Sequence, residues 1–146
     1  MPSDTMKLSK IMQSRVVTVD MDSSLWEVKM IFDNTKFHQL LVTENDLLAG
    51  IISDRDYLKA ASPNLGSDTA SSKDLATLNK RAHLIMSRKL HTLTSDHSIV
   101  DAIALFNHQS ISCIPIINED RKIEGIISWR DIMKVMYNKL NTGKSD

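Results

Sequence analysis

Ser53-Asp54-Arg55-Asp56 and Ser128-Trp129-Arg130-Asp131 each put a hydroxyl, a guanidinium and a carboxylate within four residues. Each quartet follows Gly-Ile-Ile, giving GIISDRD at 50–56 and GIISWRD at 125–131. A buried Ile-Ile strand that ends at Ser, with Asp three positions on, has the spacing of a capping box at a helix start. Two readings fit this pattern. In the first, Ser53 with Asp56, and Ser128 with Asp131, cap helices and do nothing more. In the second, the free N–H groups and positive dipole end of the helix attract phosphate. The Ser hydroxyl then donates, and Arg55 or Arg130 offers a bidentate guanidinium. Asp56 or Asp131 accepts from two adjacent ribose hydroxyls. Capping accounts for the Ser and the Asp but not for the repeated Arg.

The elements that position these quartets also occur twice. A shift of 74 residues lays Ile11-Met12 on Ile85-Met86, Thr18 on Thr92, Asp22 on Asp96, Ser24 on Ser98 and Phe32 on Phe106. Past one inserted residue near 121–123 the shift is 75, and Gly50 to Asp56 falls on Gly125 to Asp131. The insertion lies in a polar turn, where added length is cheap. Each copy opens with a short extended piece, VVTV at 16–19 and LHTL at 90–93. A capped helix follows, from Ser23 or Ser24 in copy one and Ser98 in copy two. Leu25, Val28, Ile31 and Phe32 share one face of the first helix; Ile99, Ala102, Ile103 and Phe106 share one face of the second. Two strand-like runs come next, HQLLVT and LLAGIIS, then SCIPIIN and KIEGIIS. A second helix starts at the motif Ser. The fold class is α/β (α+β), two strand–helix–strand–strand–helix repeats packed about a pseudo-twofold axis, with related clefts where the copies meet. The expected boundaries are 8–62 for repeat one, 63–80 for a linker and connecting helix, and 81–140 for repeat two. ASPNLGSDTASS at 61–72 reads as a flexible linker or surface loop. KDLATLNKRAHLIM reads as helical, and the polar tail NKLNTGKSD is expected to fray.

Composition limits the function classes. The chain has 146 residues, 42% hydrophobic and 25% charged, ordinary for a soluble globular protein. Folding buries roughly 70% of the extended-chain surface at this size, so no metal or disulfide staple is required. Lys+Arg and Asp+Glu are 18 each, so no net basic field draws nucleic acid or an anionic membrane. No apolar run reaches the ~20 residues that span a bilayer. The N-terminus carries no signal-peptide pattern, and Cys113 has no internal partner; both fit a cytoplasmic location. His91, His97 and His108 have no ligand spacing with Cys113, so no metal site is expected. No acid/base pair or phosphate-binding loop marks an enzyme. Trp26 reads as packing or dimer contact. Trp129 suits stacking on a base or burial against a second subunit.

The ordered set resembles a tandem pair of cystathionine-beta-synthase (CBS) domains, the Bateman module. The matching strings are GIISDRD and GIISWRD, the T-V-x-x-D-x-S and T-L-x-x-D-x-S starts at 18–24 and 92–98, and IPII at 114–117. The wording SDRD and the following YLKAASP are similar to the CBS portion of bacterial acetoin-utilisation proteins. The resemblance spans about residues 8–140. It implies a regulatory module that binds AMP, ADP, ATP or S-adenosylmethionine in the clefts between copies, with Asp on ribose and Ser and Arg toward phosphate. It further implies that Val16, Val17 and Thr18, and Leu90, His91 and Thr92, line the adenine. Leu40 and Leu41, and Ile114 and Pro115, would be the apolar walls. Copy one departs from the pattern with Leu41 where copy two has Pro115. A homodimer and an unidentified regulated partner are expected. A ligand-free assembly module is the alternative. The two sites are expected to be unequal, the Ser128 site being the better phosphate binder because Asp54 opposes an anion at the other.

Overall fold

Alternating burial along GIIS and helical spacing along LWEVKMIF and VDAIALF produce the elements seen in a computed structural model, which describes residues 6–144, with side chains to 142. Chain contacts sort the residues into two compact units, Val17–Leu90 and the pair of segments Met1–Val16 and His91–Asp146.

In the unit Val17–Leu90, β1 (Thr18–Asp20) leads into α1 (Leu25–Asn34), β2 (Gln39–Glu44), β3 (Leu47–Ser53) and α2 (Asp54–Ala60). β1 pairs parallel with β2, and β2 pairs antiparallel with β3. The hairpin needs only Asn45 and Asp46 between paired Glu44 and Leu47. Both turn residues have positive φ, 52° and 66°, the twist that suits a two-residue connection. Leu25 and Val28 of α1, Leu40 and Val42 of β2 and Ile52 of β3 form the core.

The stretch 73–86, expected as one helix, is broken. It forms α3 (Ser72–Ala76), a 3-10 turn Thr77–Asn79 and α4 (Ala82–Ile85). Lys80 and Arg81 are extended. Their neighbourhood bonds sideways instead: the Leu25 N–H donates to the Lys80 carbonyl at 3.0 Å, and the Ala82 N–H to the Ser23 carbonyl at 2.8 Å. Burial of Leu78 and Ala82 fixes this route. The loop at 61–72 is tied back: the Ser62 hydroxyl donates to Asp74 at 2.6 Å, and that bond is the main cause holding the Asp74 carboxyl below its usual range.

The other unit holds α5 (Ile99–His108), β4 (Cys113–Ile117), β5 (Ile123–Ser128) and α6 (Trp129–Lys144). Here the turn has one residue more. The Asn118 N–H donates to the Lys122 carbonyl, and Arg121 takes φ 65°. The inserted residue thus lengthens the hairpin loop. Leu8, Ile99, Ala102, Phe106, Ile114, Ile116 and Ile127 form the core. The tail from 138, expected to fray, is drawn into a helix: α6 runs to Lys144, and the Thr142 hydroxyl donates to the Asn138 carbonyl at 2.7 Å. The last two residues lie outside the described residues.

The extended piece expected at 90–93 is reduced to one bridge, Leu93 to Ile116. Leu93 donates to the Pro115 carbonyl and accepts from Ile117. Continuing that parallel ladder toward His91 would need an N–H at position 115, and proline has none. Leu41 occupies the corresponding place in the first unit, and there β1 is a full strand.

Candidate ligand sites at two strand-to-helix turns

The Ser that ends β3 and the Ser that ends β5 each start a helix, and both helices begin with a reciprocal cap. The Ser53 N–H donates to Asp56 Oδ2 at 2.9 Å, and the Asp56 N–H donates to Ser53 Oγ at 3.0 Å. The Ser128 N–H donates to Asp131 Oδ2 at 2.9 Å, and the Asp131 N–H to Ser128 Oγ at 3.4 Å. The same box recurs at Ser71–Asp74, with Lys73 in the Arg position, and at Ser98–Asp101, with Val100 there. Capping is therefore the common function of the Ser-x-x-Asp spacing in this chain; what sets the two motifs apart is a guanidinium in the first turn after a Gly-Ile-Ile-Ser strand end. Arg55 and Arg130 are exposed, and neither makes an ion pair or hydrogen bond among the described residues. A cation in the first turn sits at the unfavourable end of the helix dipole. An anion bound there would reverse that cost.

The remaining residues of the first turn differ between units. The Asp54 N–H donates to the His38 carbonyl at 2.8 Å, and its carboxylate meets His38 Nδ1 at 3.0 Å. In the second unit the Trp129 N–H takes the corresponding bond, to the Ser112 carbonyl at 3.2 Å. The Trp129 ring packs on Phe106, centroids 5.0 Å apart, and stays partly exposed.

The strand residues are distributed as follows. Thr18 lies in register with Leu41, which pairs with Ile51; Leu40 pairs with Ile52. Ile114 pairs with Ile127 and Pro115 with Ile126. Leu40 and Ile114 belong to the two cores. Leu41 and Pro115, one residue on, point to the opposite sheet faces, and both are buried. Val17 and Thr18 fall in the same unit as Ser53, Arg55 and Asp56, whereas Val16 belongs with the other unit. His91 and Thr92 fall with Ser128, Arg130 and Asp131, whereas Leu90 does not.

The sequence assigned no role to the segment at the start of each repeat. Met86 packs over Gly50, and Ser87 exchanges backbone bonds with Ile51 at 2.8 and 3.0 Å. Met12 packs over Gly125, and Gln13 exchanges bonds with Ile126 at 2.9 and 3.0 Å. The Gln13 side-chain amide also donates to Asp131 Oδ1 at 3.1 Å. The repeated Ile-Met was the available signal. Among the described residues, no group of three His, Cys, Asp or Glu side chains could hold a metal, and no helix is long and apolar enough to cross a membrane.

The profile of the CBS domain matches residues 8–63 and again 82–138, each match containing one Gly-Ile-Ile-Ser turn. The chain belongs to the CBS domain family. Among curated relatives, homoserine O-acetyltransferase of Methanosalsum zhilinae is 30% identical over 132 residues, 90% of this chain and 24% of that protein. The chain spans less than half the length of the first curated relatives it matches. Solved CBS structures share the fold. A putative acetoin utilisation protein of Vibrio cholerae superposes with TM-score 0.76 at 20% identity, covering 97% of each chain. The CBS domain pair of protein MJ0100, in complex with 5′-methylthioadenosine and S-adenosyl-L-methionine, superposes with TM-score 0.72 at 24% identity, covering 91% of this chain and 97% of that one. CBSX2 in complex with AMP gives TM-score 0.75 at 19% identity, over 91% and 97%. The two CBS repeats of this chain are thus a mixed α/β pair of the same build as those ligand-bound pairs.

Proposed function

We propose that this CBS pair is a ligand-sensing regulatory module, not a catalyst, and that it takes an adenosyl nucleotide of the AMP, ADP or ATP kind. The ligand sits at the turns entering α2 and α6. The observation that carries this reading is the exposed, unpaired Arg in the first turn of each motif helix, at the same place after a Gly-Ile-Ile-Ser strand end in both repeats. Arg55 and Arg130 meet phosphate together with Ser53 and Ser128; Asp56 and Asp131 keep Oδ2 in the cap and offer Oδ1 to ribose. Val16, Val17 and Thr18, with Leu90, His91 and Thr92, lie beside adenine, flanked by the strands that carry Leu40, Leu41, Ile114 and Pro115. S-adenosylmethionine is the second ligand class, supported by its presence in the MJ0100 pair. Cys113 as a buried free thiol fits a reducing, cytoplasmic setting.

The module works as a homodimer whose shape reports occupancy to a regulated protein. Trp129, Met133, Tyr137 and Leu140 support this, forming an exposed stripe at helical spacing along α6. Sedimentation at micromolar concentration should show a dimer; a monomer would remove this part.

Thermal melts with AMP, ADP, ATP, S-adenosylmethionine and 5′-methylthioadenosine test the ligand claim. A ligand at 100 times its Kd should add about 2.7 kcal/mol. No shift with any of them would leave the assembly role standing instead. Asp56→Asn and Asp131→Asn, which keep most of the capping geometry, should each weaken AMP; unchanged affinity in both would remove the ribose role.

A further inference from the structure

The two motif aspartates differ in one respect that the repeat does not predict. Asp131 is 8% exposed and has both carboxylate oxygens engaged. Oδ2 accepts from the Ser128 N–H at 2.9 Å and from the Ser128 hydroxyl at 3.2 Å; Oδ1 accepts from Gln13 Nε2 at 3.1 Å. Asp56 has only the cap, and its Oδ1 has no partner among the described residues. The repeat shift that lays Ile11-Met12 on Ile85-Met86 places Ser87 opposite Gln13. Ser87 makes the same backbone bridge to its sheet that Gln13 makes, Ile51 to Ser87 matching Ile126 to Gln13, but among the described residues its hydroxyl makes no hydrogen bond to Asp56. Gln13 is held in place independently of its amide, by two backbone bonds to Ile126 and by Met12 over Gly125. Its side chain therefore starts from a fixed backbone position beside Asp131.

We infer that Gln13 is a specificity-determining residue that competes with the ribose hydroxyls for Asp131 Oδ1, so that a ribose ligand must displace it at this site and need not at Asp56. This rests on the adenosyl reading above. A buried carboxylate oxygen keeps its hydrogen bond in either state, which satisfies the need to pair a buried polar group. The exchange is then Gln13 amide for ribose hydroxyl. By linkage, occupancy of the Asp131 site frees the Gln13 amide, whereas occupancy at Asp56 frees no such group.

The test uses the full chain in an Asp56→Asn background, so that the Asp131 site is read alone. AMP and its 2′,3′-dideoxy analogue are titrated by calorimetry into that protein and into versions adding Gln13→Ala or Gln13→Met; the Met version retains volume without a donor. Competition predicts AMP binding roughly tenfold tighter in both additions, the scale of one hydrogen bond to a charged group. The dideoxy analogue, with no hydroxyl to compete, should be unchanged. Equal gains for both ligands, no gain, or weaker AMP binding would overturn the inference while leaving the adenosyl reading intact. AMP binding to none of these proteins nor to the unsubstituted chain would overturn both. In the unsubstituted chain the Gln13 side-chain amide resonance should move on adding AMP and stay in place with the dideoxy analogue.

Discussion

Met12 packs over Gly125 so closely that a methyl group on the glycine would lie 2.8 Å from its sulfur and 2.9 Å from the Gln13 carbonyl. Gly50 is covered in the same way by Met86 and the Ser87 carbonyl. The glycine of each motif is therefore fixed by a neighbour as well as by its strand. The pairing is crossed in sequence: the Met near the start of repeat one covers the Gly of repeat two, and the Met near the start of repeat two covers the Gly of repeat one.

Gly50→Ala and Gly125→Ala should each destabilise the protein by about 1–3 kcal/mol through overpacking. Urea unfolding of double variants checks the crossing. Gly50→Ala should couple to Met86→Ala by 0.5 kcal/mol or more and be additive with Met12→Ala, since only residues in contact share energy. Coupling of Gly50→Ala to Met12→Ala instead would contradict the arrangement.

Pro115→Leu should lengthen the single bridge at Leu93 into a strand like β1. The substitution supplies the missing N–H, with the His91 carbonyl as its partner. Amide exchange should show the new N–H at position 115 protected to a similar degree as that of Leu41. Fast exchange there would show that something other than proline stops the ladder.

Phe106→Ala should cost about 3–5 kcal/mol, because the ring fills the core beside Ile99 and Ala102. It also removes the face on which Trp129 packs at 33°. In a Trp26→Phe background, tryptophan emission should move to longer wavelength. An unmoved spectrum would mean that Trp129 does not depend on Phe106.

Burial pushes the Cys113 thiol from an ordinary 9.0 up to about 12. The folded state thus prefers the neutral thiol more strongly than the unfolded state does. The contribution to stability is full below pH 9 and is lost as pH rises toward 12. Because the thiolate is the nucleophile, a thiol reagent at pH 8 should react only as fast as the chain opens. Rapid stoichiometric labelling of the folded protein would contradict this burial.

What the sequence determined by itself is whatever is decided within a few residues. Ser-x-x-Asp spacing placed the caps at Ser53 and Ser128 because N-cap and N3 are three apart along one chain. The extra residue near 121–123 was legible as a longer hairpin turn, and β3 matches LLAGIIS to the residue. The CBS pair followed because the same local grammar occurs twice. Tertiary structure decided the rest. Lys80 and Arg81 break the helix expected at 73–86 because backbone partners at Ser23 and Leu25 outbid local helix bonds. Asp54 meets His38, which strand β2 brings to the helix start. Asp131 is closed by Gln13 from 118 residues away, while Asp56 is left open. No spacing rule reaches that far: contacts between distant segments depend on which sheet edge each segment finds, and the two edges carry nearly the same sequence.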